Sequence, residues 1–557
     1  MMDYPKRKYP VGIQTFSRLR REGYVYVDKT DLVWRMANEN NPFLFLARPR
    51  RFGKSLLAST LHSFFAGERE LFKGLKADTL EWDWQQYPVL HFDLSGAKDL
   101  PSAEMLAAKL MLILRPLTEE YGREPDEITP GGLFEGMVRR AFKKTNRQVV
   151  IIIDEYDAPL LSSLHEEKLL EEKRTVLQEL YSPLKLLEPF IKRCFITGIT
   201  KFSQLSIFST INNITNISML PKYAALCGIT EEELTTTLAP DIALLAESYE
   251  FTPEGMHDIL KEKYDGYRFS RQSPEVYNPY SLFKAFDNQE VGFYWFDSGT
   301  PTFLIRQMQK FGTDITSLDS MDVPAFAFDQ PTENMIDALP LLYQSGYLTI
   351  KGWKREGMEY TYTLGIPNQE VQTGYAQGLL PAYTGINSRD VQMGFSLKFW
   401  RALKKGDLDL ALREMQAFLA GLPYVEGFKK KLEQVAVVEG FYEYTFYLIF
   451  NMLNVYARTQ VKVWSSECHP SLLEDGRVAT ELGKAKCRGG RIDMVVYMPQ
   501  ATYIFELKMH ESAQKALEQI DMKGYALPYH TEGRKVVKVG LHFDLDSRTL
   551  DEWAVEN

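Results

Sequence analysis

Residues 41–55 read NPFLFLARPRRFGKS, from Asn41 to Ser55. Phe43 to Ala47 is an unbroken apolar run of strand length, and from Leu56 to Phe65 apolar residues recur at helical spacing. Between them lie a basic turn, Arg48-Pro49-Arg50-Arg51-Phe52, and then Gly53-Lys54-Ser55. Strand, loop, Gly-Lys-Ser, helix is the order of a phosphate-binding loop. Each part has a task. Backbone N–H groups at a helix N-terminus attract phosphate. The Lys54 ammonium would face the β- and γ-phosphates, and the Ser55 hydroxyl would ligate Mg²⁺. Arg50, Arg51, Phe52, Gly53 and Leu56 would form the rest of the cradle.

The pattern G-x-x-x-x-G-K-[ST] asks for Gly where this chain has Arg48. The plain alternative is therefore a helix N-cap after a basic turn. A second stretch tips the balance. Gln148 to Asp157 is a β-branched run that ends Asp154-Glu155-Tyr156-Asp157, with Asp154 one hundred residues after Lys54. In a P-loop ATPase the strand beside the phosphate loop ends this way. Asp154 would hold the Mg²⁺ shell, and Glu155 would polarise the attacking water. The two motifs together predict ATP binding. At least one of Arg48, Arg50 and Arg51 is expected to contact phosphate or an acid of the ATPase core.

The chain has 557 residues, 45% hydrophobic and 25% charged, with net charge −9. That length suggests about three or four domains. No apolar run approaches the roughly 18 residues of a membrane helix, and MMDYPKRKYPVG has no apolar core for a signal peptide. The net charge argues against non-specific polyanion binding by the whole surface. Cys194, Cys227, Cys468 and Cys487 are few enough for a reducing cytosol. A zinc site at Cys468, His469 and Cys487 lacks the supporting CxxC pair. A cytoplasmic location without membrane attachment is expected.

The rest of the chain supplies the frame. Tyr24 to Thr30 alternates like a short strand leading into a helix capped near Thr30, where a segment covering the adenine could lie. A strand over 88–93, a helix from Ser102 to about Tyr121, the strand over 148–153, a helix over 166–187 and a strand from Ile191 follow. That alternation predicts a mostly parallel sheet. Thr197, Thr200 and Lys201 end the last of these strands, where ligands gather in open α/β sheets. They are candidates to sense the γ-phosphate, with a plain turn as the alternative. Residues 230–311 read as a small helical lid with aromatic loops. Over 312–386 a helix and a hairpin suggest a winged helix, in a structural role before a DNA-binding one. Residues 396–436 read as amphipathic helix.

A second constellation lies near the C-terminus. Arg491-Ile-Asp493-Met-Val-Val-Tyr and Thr502-Tyr-Ile-Phe-Glu506-Leu507-Lys508 read as a hairpin. A period of two puts Glu506 and Lys508 on one face, and the hairpin can bring Asp493 beside Glu506. Two carboxylates and an ammonium on one edge suit a divalent metal and an attacked phosphate. The Leu507 carbonyl is a further candidate ligand, and Gln519 follows on the next helix. From Lys484 to Lys538 ten Lys and Arg face six Asp and Glu, so this segment is basic within an acidic chain.

The chain resembles the bacterial AAA-ATPase-like family that carries a C-terminal PD-(D/E)XK nuclease domain. The likeness rests on RPRRFGKSLL, IIIDEYDAPL, FITGITKFSQLSIFSTINN, YDGYRF, YQSGYLTI, GRIDMVV and IFELK. In that family Arg-Pro-Arg-Arg-Phe also precedes Gly-Lys-Ser, so Arg48 is a family trait. The resemblance implies an ATP site of Lys54, Ser55, Asp154 and Glu155, and a nuclease site of Glu439, Asp493, Glu506, Lys508 and Gln519. Phe441-Tyr442-Glu443 departs from the family's Phe-Tyr-His. The expected fold is a multidomain α/β chain: an AAA-like P-loop core over 1–229, a lid over 230–311, a winged-helix-like module over 312–386 and a nuclease-like domain over 387–557. The expected cofactors are ATP and Mg²⁺, with Mn²⁺ an alternative at the nuclease site. The expected partner is nucleic acid, DNA first, with a homo-oligomer left open. An ATP-driven scaffold whose nuclease fold binds without cutting is the competing reading.

Overall fold

The computed structural model describes residues 7–164, 166–201, 214–295, 302–315, 318, 320–331, 335–384, 389–421, 445–453, 456–463, 490–532, 534–544, 547 and 549–557. Two compact units divide the chain. One holds Met1–Thr313 with Ser320–Val371, the other Asp314–Asp319 with Gln372–Asn557.

The first unit is built on a parallel five-stranded sheet of β1 (Phe43–Ala47), β2 (Val89–Asp93), β3 (Val149–Asp154), β4 (Ile191–Gly198) and β5 (Thr215–Asn216), in the order β2-β3-β4-β1-β5. β3 is buried along its whole length, as a parallel strand covered on both faces must be. Val149, Ile151 and Ile153 share one face and meet Leu106, Leu110 and Leu114 of the helix Ala103–Tyr121. The same cluster takes Leu133, Met137 and Ala141 from the helix Pro130–Thr145. Leu106, Leu110 and Leu114 recur every four residues, which keeps them on one helical stripe.

Two expectations are corrected here. β4 lies between β1 and β3, so the strand ending in Asp154-Glu155 is not the direct neighbour of the phosphate-loop strand. Strand order is set by crossover connections, which hydropathy does not encode. Tyr24 to Thr30 forms no strand; Tyr24 makes a single bridge to Lys8. Its apolar side chains are instead spent on packing, with Val25 joining Tyr9, Leu282 and Phe283 in a second core cluster. That cluster also holds Leu234, Leu245 and Leu260 of the helical stretch after β6 (Ile229–Thr230). β6 pairs with β7 (Val276–Tyr277). Further on, the helix Leu339–Gln344 precedes an antiparallel hairpin of β9 (Thr349–Glu356) and β10 (Glu359–Gly365), and β8 (Met321–Pro324) pairs with β10.

The second unit carries a mixed sheet of β11 (Tyr456–Val463), β12 (Gly490–Tyr497), β13 (Ala501–Lys508), β14 (Lys535–Asp544) and β15 (Thr549–Glu556), ordered as numbered. β13 and β14 run parallel, and the helix Ala513–Lys523 makes the crossover. That helix lies close on β14, since a Cβ at Gly540 would stand 2.1 Å from the Ala513 carbonyl oxygen. The amphipathic stretch from 396 is two helices, Arg389–Lys404 and Leu408–Ala420. Gly406, at φ 74°, turns the chain between them. Residues 422–444 lie outside the described ones, and with them Glu439 and Phe441-Tyr442-Glu443. Cys468, His469 and Cys487 also lie outside.

Candidate phosphate and metal sites

The loop after β1 ends at Gly53 with φ 90°, a left-handed value that any Cβ would strain, and the helix Lys54–Phe65 begins there. Lys54 and Ser55 therefore sit in the first turn, where free amides and the helix dipole favour an anion. A cavity of about 370 Å³ opens over this turn, lined by Arg50, Arg51, Gly53, Lys54, Ser55, Leu56, Lys98 and Glu155, with Tyr280 opposite.

Burial perturbs Lys54 and the neighbouring Asp154. Lys54 is 5% exposed, and its ammonium donates to the Pro49 carbonyl at 3.0 Å. Burial pushes its pKa down, opposed by Glu155, Asp154 and Asp157. Asp154 is also buried, and burial pushes its carboxyl up to about 6 against the Ser55 hydroxyl and Lys54. Asp93 stands beside it, in register across β2 and β3, and raises it further. Glu155 has φ 48°, uncommon for a residue with a side chain. Its amide donates to Asp154 Oδ1 at 2.9 Å, and its carboxylate pairs with Lys98 at 3.2 Å. Lys98 and Asp93 escaped the sequence reading because neither belongs to a motif. The register across β2 and β3 brings Asp93 there.

A narrower apolar cavity adjoins the first through Pro10, Gly53, Leu56, Pro279 and Phe283, and its walls include Val25, Tyr26 and Val27. The segment before the phosphate loop thus reaches the cavity without forming a strand.

The basic turn is a clamp. Arg48 is 2% exposed and donates to the carbonyls of Ala47, Ser218 and Tyr223, with its guanidinium 4.1 Å from the Phe269 ring centroid. Arg51 donates to the Tyr294 carbonyl and lies 4.1 Å from the Tyr280 ring centroid. Phe52, 1% exposed, packs edge-on against Tyr267 and Phe269 at 4.7 and 5.5 Å. Arg50 lines the cavity, and its carbonyl accepts from the Trp295 indole at 3.4 Å. Arg48 and Arg51 thus meet carbonyls and rings where an acid or phosphate was expected.

The polar end of β4 is committed elsewhere. Thr197 donates to the Leu46 carbonyl at 2.9 Å. Asp157 Oδ2 accepts from the amides of Ile199 and Thr200 and from the Thr200 hydroxyl, at 3.0, 2.7 and 2.7 Å. Lys201, expected near the γ-phosphate, pairs with Asp329 at 3.2 Å and lines a separate small cavity with Arg48 and Pro49. An acid 128 positions away drew it aside, a pairing that local pattern cannot reveal.

In the second unit β12 and β13 pair with Met494 opposite Phe505. One step beyond, Asp493 Oδ2 accepts from the Leu507 amide at 2.7 Å. The N–H and C=O of a strand residue leave on the same side, so the Leu507 carbonyl also faces the Asp493 edge. Glu506 is 2% exposed. Gln519, two turns along the helix that Ser512 caps, donates to Glu506 Oε1. Lys508 donates to Gln519 Oε1 at 2.7 Å and stands 3.4 Å from Glu506. Burial, then the Asp493 carboxylate, holds the Glu506 carboxyl well above the ordinary range, with Lys508 and Gln519 opposing. Glu506 Oε2 is buried with no hydrogen-bond partner. A buried acceptor of that kind needs a proton or a cation. Asp493, Glu506 and the Leu507 carbonyl are hard oxygen donors, so the set fits Mg²⁺ or Mn²⁺. Among the described residues no group of three or more His, Cys, Asp and Glu side chains converges for a metal. Tyr525, buried beside Glu506 and Gln519, is a further member that the motif does not contain.

Two family models match the chain, one over each region that carries a site. A family model described as "Predicted AAA-ATPase" matches residues 10–208. A model described as "PD-(D/E)XK nuclease superfamily" matches residues 483–553. A relative from Azotobacter chroococcum mcd 1, described as an uncharacterized protein in the vnfD 5' region, is 32% identical over 559 residues, 99% of each chain. Among the described residues no helix is long and apolar enough to cross a membrane.

Proposed function

We propose, for a chain that belongs to the predicted AAA-ATPase family with a C-terminal PD-(D/E)XK nuclease-superfamily domain, that it is an ATP-hydrolysing protein coupled to a metal-dependent nuclease. ATP is the substrate of the first unit. Its phosphates would lie over the helix Lys54–Phe65, where Lys54 supplies the compact cation. Its base would take the apolar cavity by Val25 and Phe283. Ser55 and Asp154 would hold Mg²⁺, which screens the phosphate charge. Glu155 accepts the proton of the attacking water, and Lys98 pairs with that carboxylate and aims it. The helical stretch 230–311 acts as a lid, and the module over 312–386 as a winged helix in a structural role.

In the second unit Asp493, Glu506 and the Leu507 carbonyl would hold Mg²⁺ or Mn²⁺, and a bound metal ion activates water and neutralises phosphoryl charge. Lys508 supplies a positive charge beside the attacked phosphate, and Gln519 holds both Lys508 and Glu506 in place. The substrate is nucleic acid, DNA before RNA, consistent with the basic character of 484–538, and defence against foreign DNA is the role we favour. The buried, free thiols of Cys194 and Cys227 suit a reducing cytoplasm. Assembly as a homo-oligomer belongs to the same proposal.

One observation carries the nuclease reading: the partnerless Oε2 of Glu506 beside Asp493 and Lys508. A scaffold that only binds would gain nothing from burying two acids together. The test is purified protein with plasmid and Mg²⁺ or Mn²⁺, with and without ATP. Cleavage that Asp493→Ala removes supports the reading; no cleavage under any of these conditions favours the scaffold.

A further inference from the structure

Glu370 is a wholly buried carboxylate that neither site uses. It lies in the first turn of the helix Gln369–Thr384, and its Oε1 accepts from two consecutive amides, Tyr294 at 2.7 Å and Trp295 at 3.0 Å. Asn368 anchors the same turn. Its Oδ1 accepts from the Val371 amide at 3.1 Å, and its Nδ2 donates to the Asp265 carbonyl at 2.7 Å.

Tyr294 and Trp295 in turn hold the phosphate loop. The Tyr294 carbonyl accepts from Arg51, and the Trp295 indole donates to the Arg50 carbonyl. Trp295 packs on Tyr347 at 5.1 Å. Next to Tyr347, Gly346 passes so near the loop that a Cβ there would stand 2.7 Å from Pro49 Cβ. A loop built from Arg48, Arg50 and Arg51 lacks the glycines that would let its backbone settle around phosphate unaided. Its shape is imposed by what it docks against. Burial pushes the Glu370 carboxyl up to about 7, opposed by the two amides, the Ser281 hydroxyl and Lys263.

We propose that Glu370 is a positioning residue of the nucleotide site. Its carboxylate fixes the backbone of Tyr294 and Trp295, and through them the Arg50-Arg51 turn, so that the phosphate cavity is formed before ATP arrives. This rests on the ATP reading given above.

The experiment is calorimetric titration of the full chain with a non-hydrolysable ATP analogue and Mg²⁺, alongside ATPase kinetics and thermal melting. Wild type and Lys54→Ala come first; wild type must bind and Lys54→Ala must not, and a wild type that does not bind overturns the ATP reading and this inference with it. Given that result, Glu370→Ala is expected to weaken binding at least about tenfold below its melting temperature. KM for ATP should rise by the same factor, with kcat within about twofold. Glu370→Gln keeps an oxygen that can accept from both amides and should bind within about threefold of wild type. Glu370→Asp keeps the charge but withdraws the oxygen, and covers the case in which the alanine variant fails to fold; it should weaken binding more than Glu370→Gln. Folded Glu370→Asp or Glu370→Ala protein that binds within twofold of wild type overturns the inference. So does Glu370→Gln protein as impaired as the other two.

Discussion

Metal should stabilise the second unit in a pH-dependent way, through Glu506. Burial and the Asp493 carboxylate raise its pKa from 4.5 to about 8 in the folded chain. Folded protein thus holds this proton more tightly than the unfolded chain. The resulting contribution is fully present below about 4.5 and is lost as pH rises through about 8. A divalent ion that binds between Asp493 and Glu506 reverses the penalty, but it must displace the proton first. At about 100 times Kd, measured near pH 8.5, binding adds about 2.7 kcal/mol to the folded state. For a unit of about 150–250 residues that raises its transition by about 5–10 °C. Near pH 6.5, at the same metal concentration, competition from a proton held with a pKa of about 8 weakens binding by about 25-fold, which leaves about 0.9 kcal/mol and a shift of about 2–4 °C. Differential scanning calorimetry with Mg²⁺ or Mn²⁺ at both pH values measures this directly. Asp493→Ala should abolish the shift at both. An equal shift at the two pH values, or one that survives Asp493→Ala, refutes the reasoning.

Other consequences concern the first unit. Lys54→Ala should abolish nucleotide binding by calorimetry, while Glu155→Gln should keep binding and lose turnover, because the amide cannot take the proton from water. Lys98→Ala should cut kcat by about tenfold with KM for ATP little changed, since it removes the 3.2 Å partner that aims Glu155; unchanged kcat would assign Lys98 to the surface. Phe52→Ala empties the space between Tyr267 and Phe269 and should cost about 3–5 kcal/mol in denaturant melts.

What could be read from the sequence was local. Lys54-Ser55, Asp154-Glu155 and the Asp493, Glu506, Lys508 set each lie on one strand, one turn or one hairpin, where spacing dictates which side chains converge. The phosphate loop's supports were out of reach for the opposite reason. Phe52 meets Tyr267, Arg51 meets Tyr294, and Tyr294 meets Glu370, contacts that span from 76 to 243 positions and leave no periodic trace. Lys201 shows the same limit from the other side. Its position at the end of β4 suggested a phosphate sensor, yet Asp329 holds it. Tyr24 to Thr30 alternates as a strand would, yet only Tyr24 bridges, to Lys8, and the apolar side chains of the stretch went to a helical core.

The most direct test of the central claim is a cleavage assay on plasmid DNA with Mg²⁺ or Mn²⁺, run with and without ATP on wild type, Asp493→Ala, Lys508→Ala and Lys54→Ala. The account predicts that wild type cuts, that Asp493→Ala and Lys508→Ala do not cut but still hydrolyse ATP, and that Lys54→Ala loses any dependence of cutting on ATP. Wild-type protein that hydrolyses ATP yet cuts neither DNA nor RNA with either metal would contradict it.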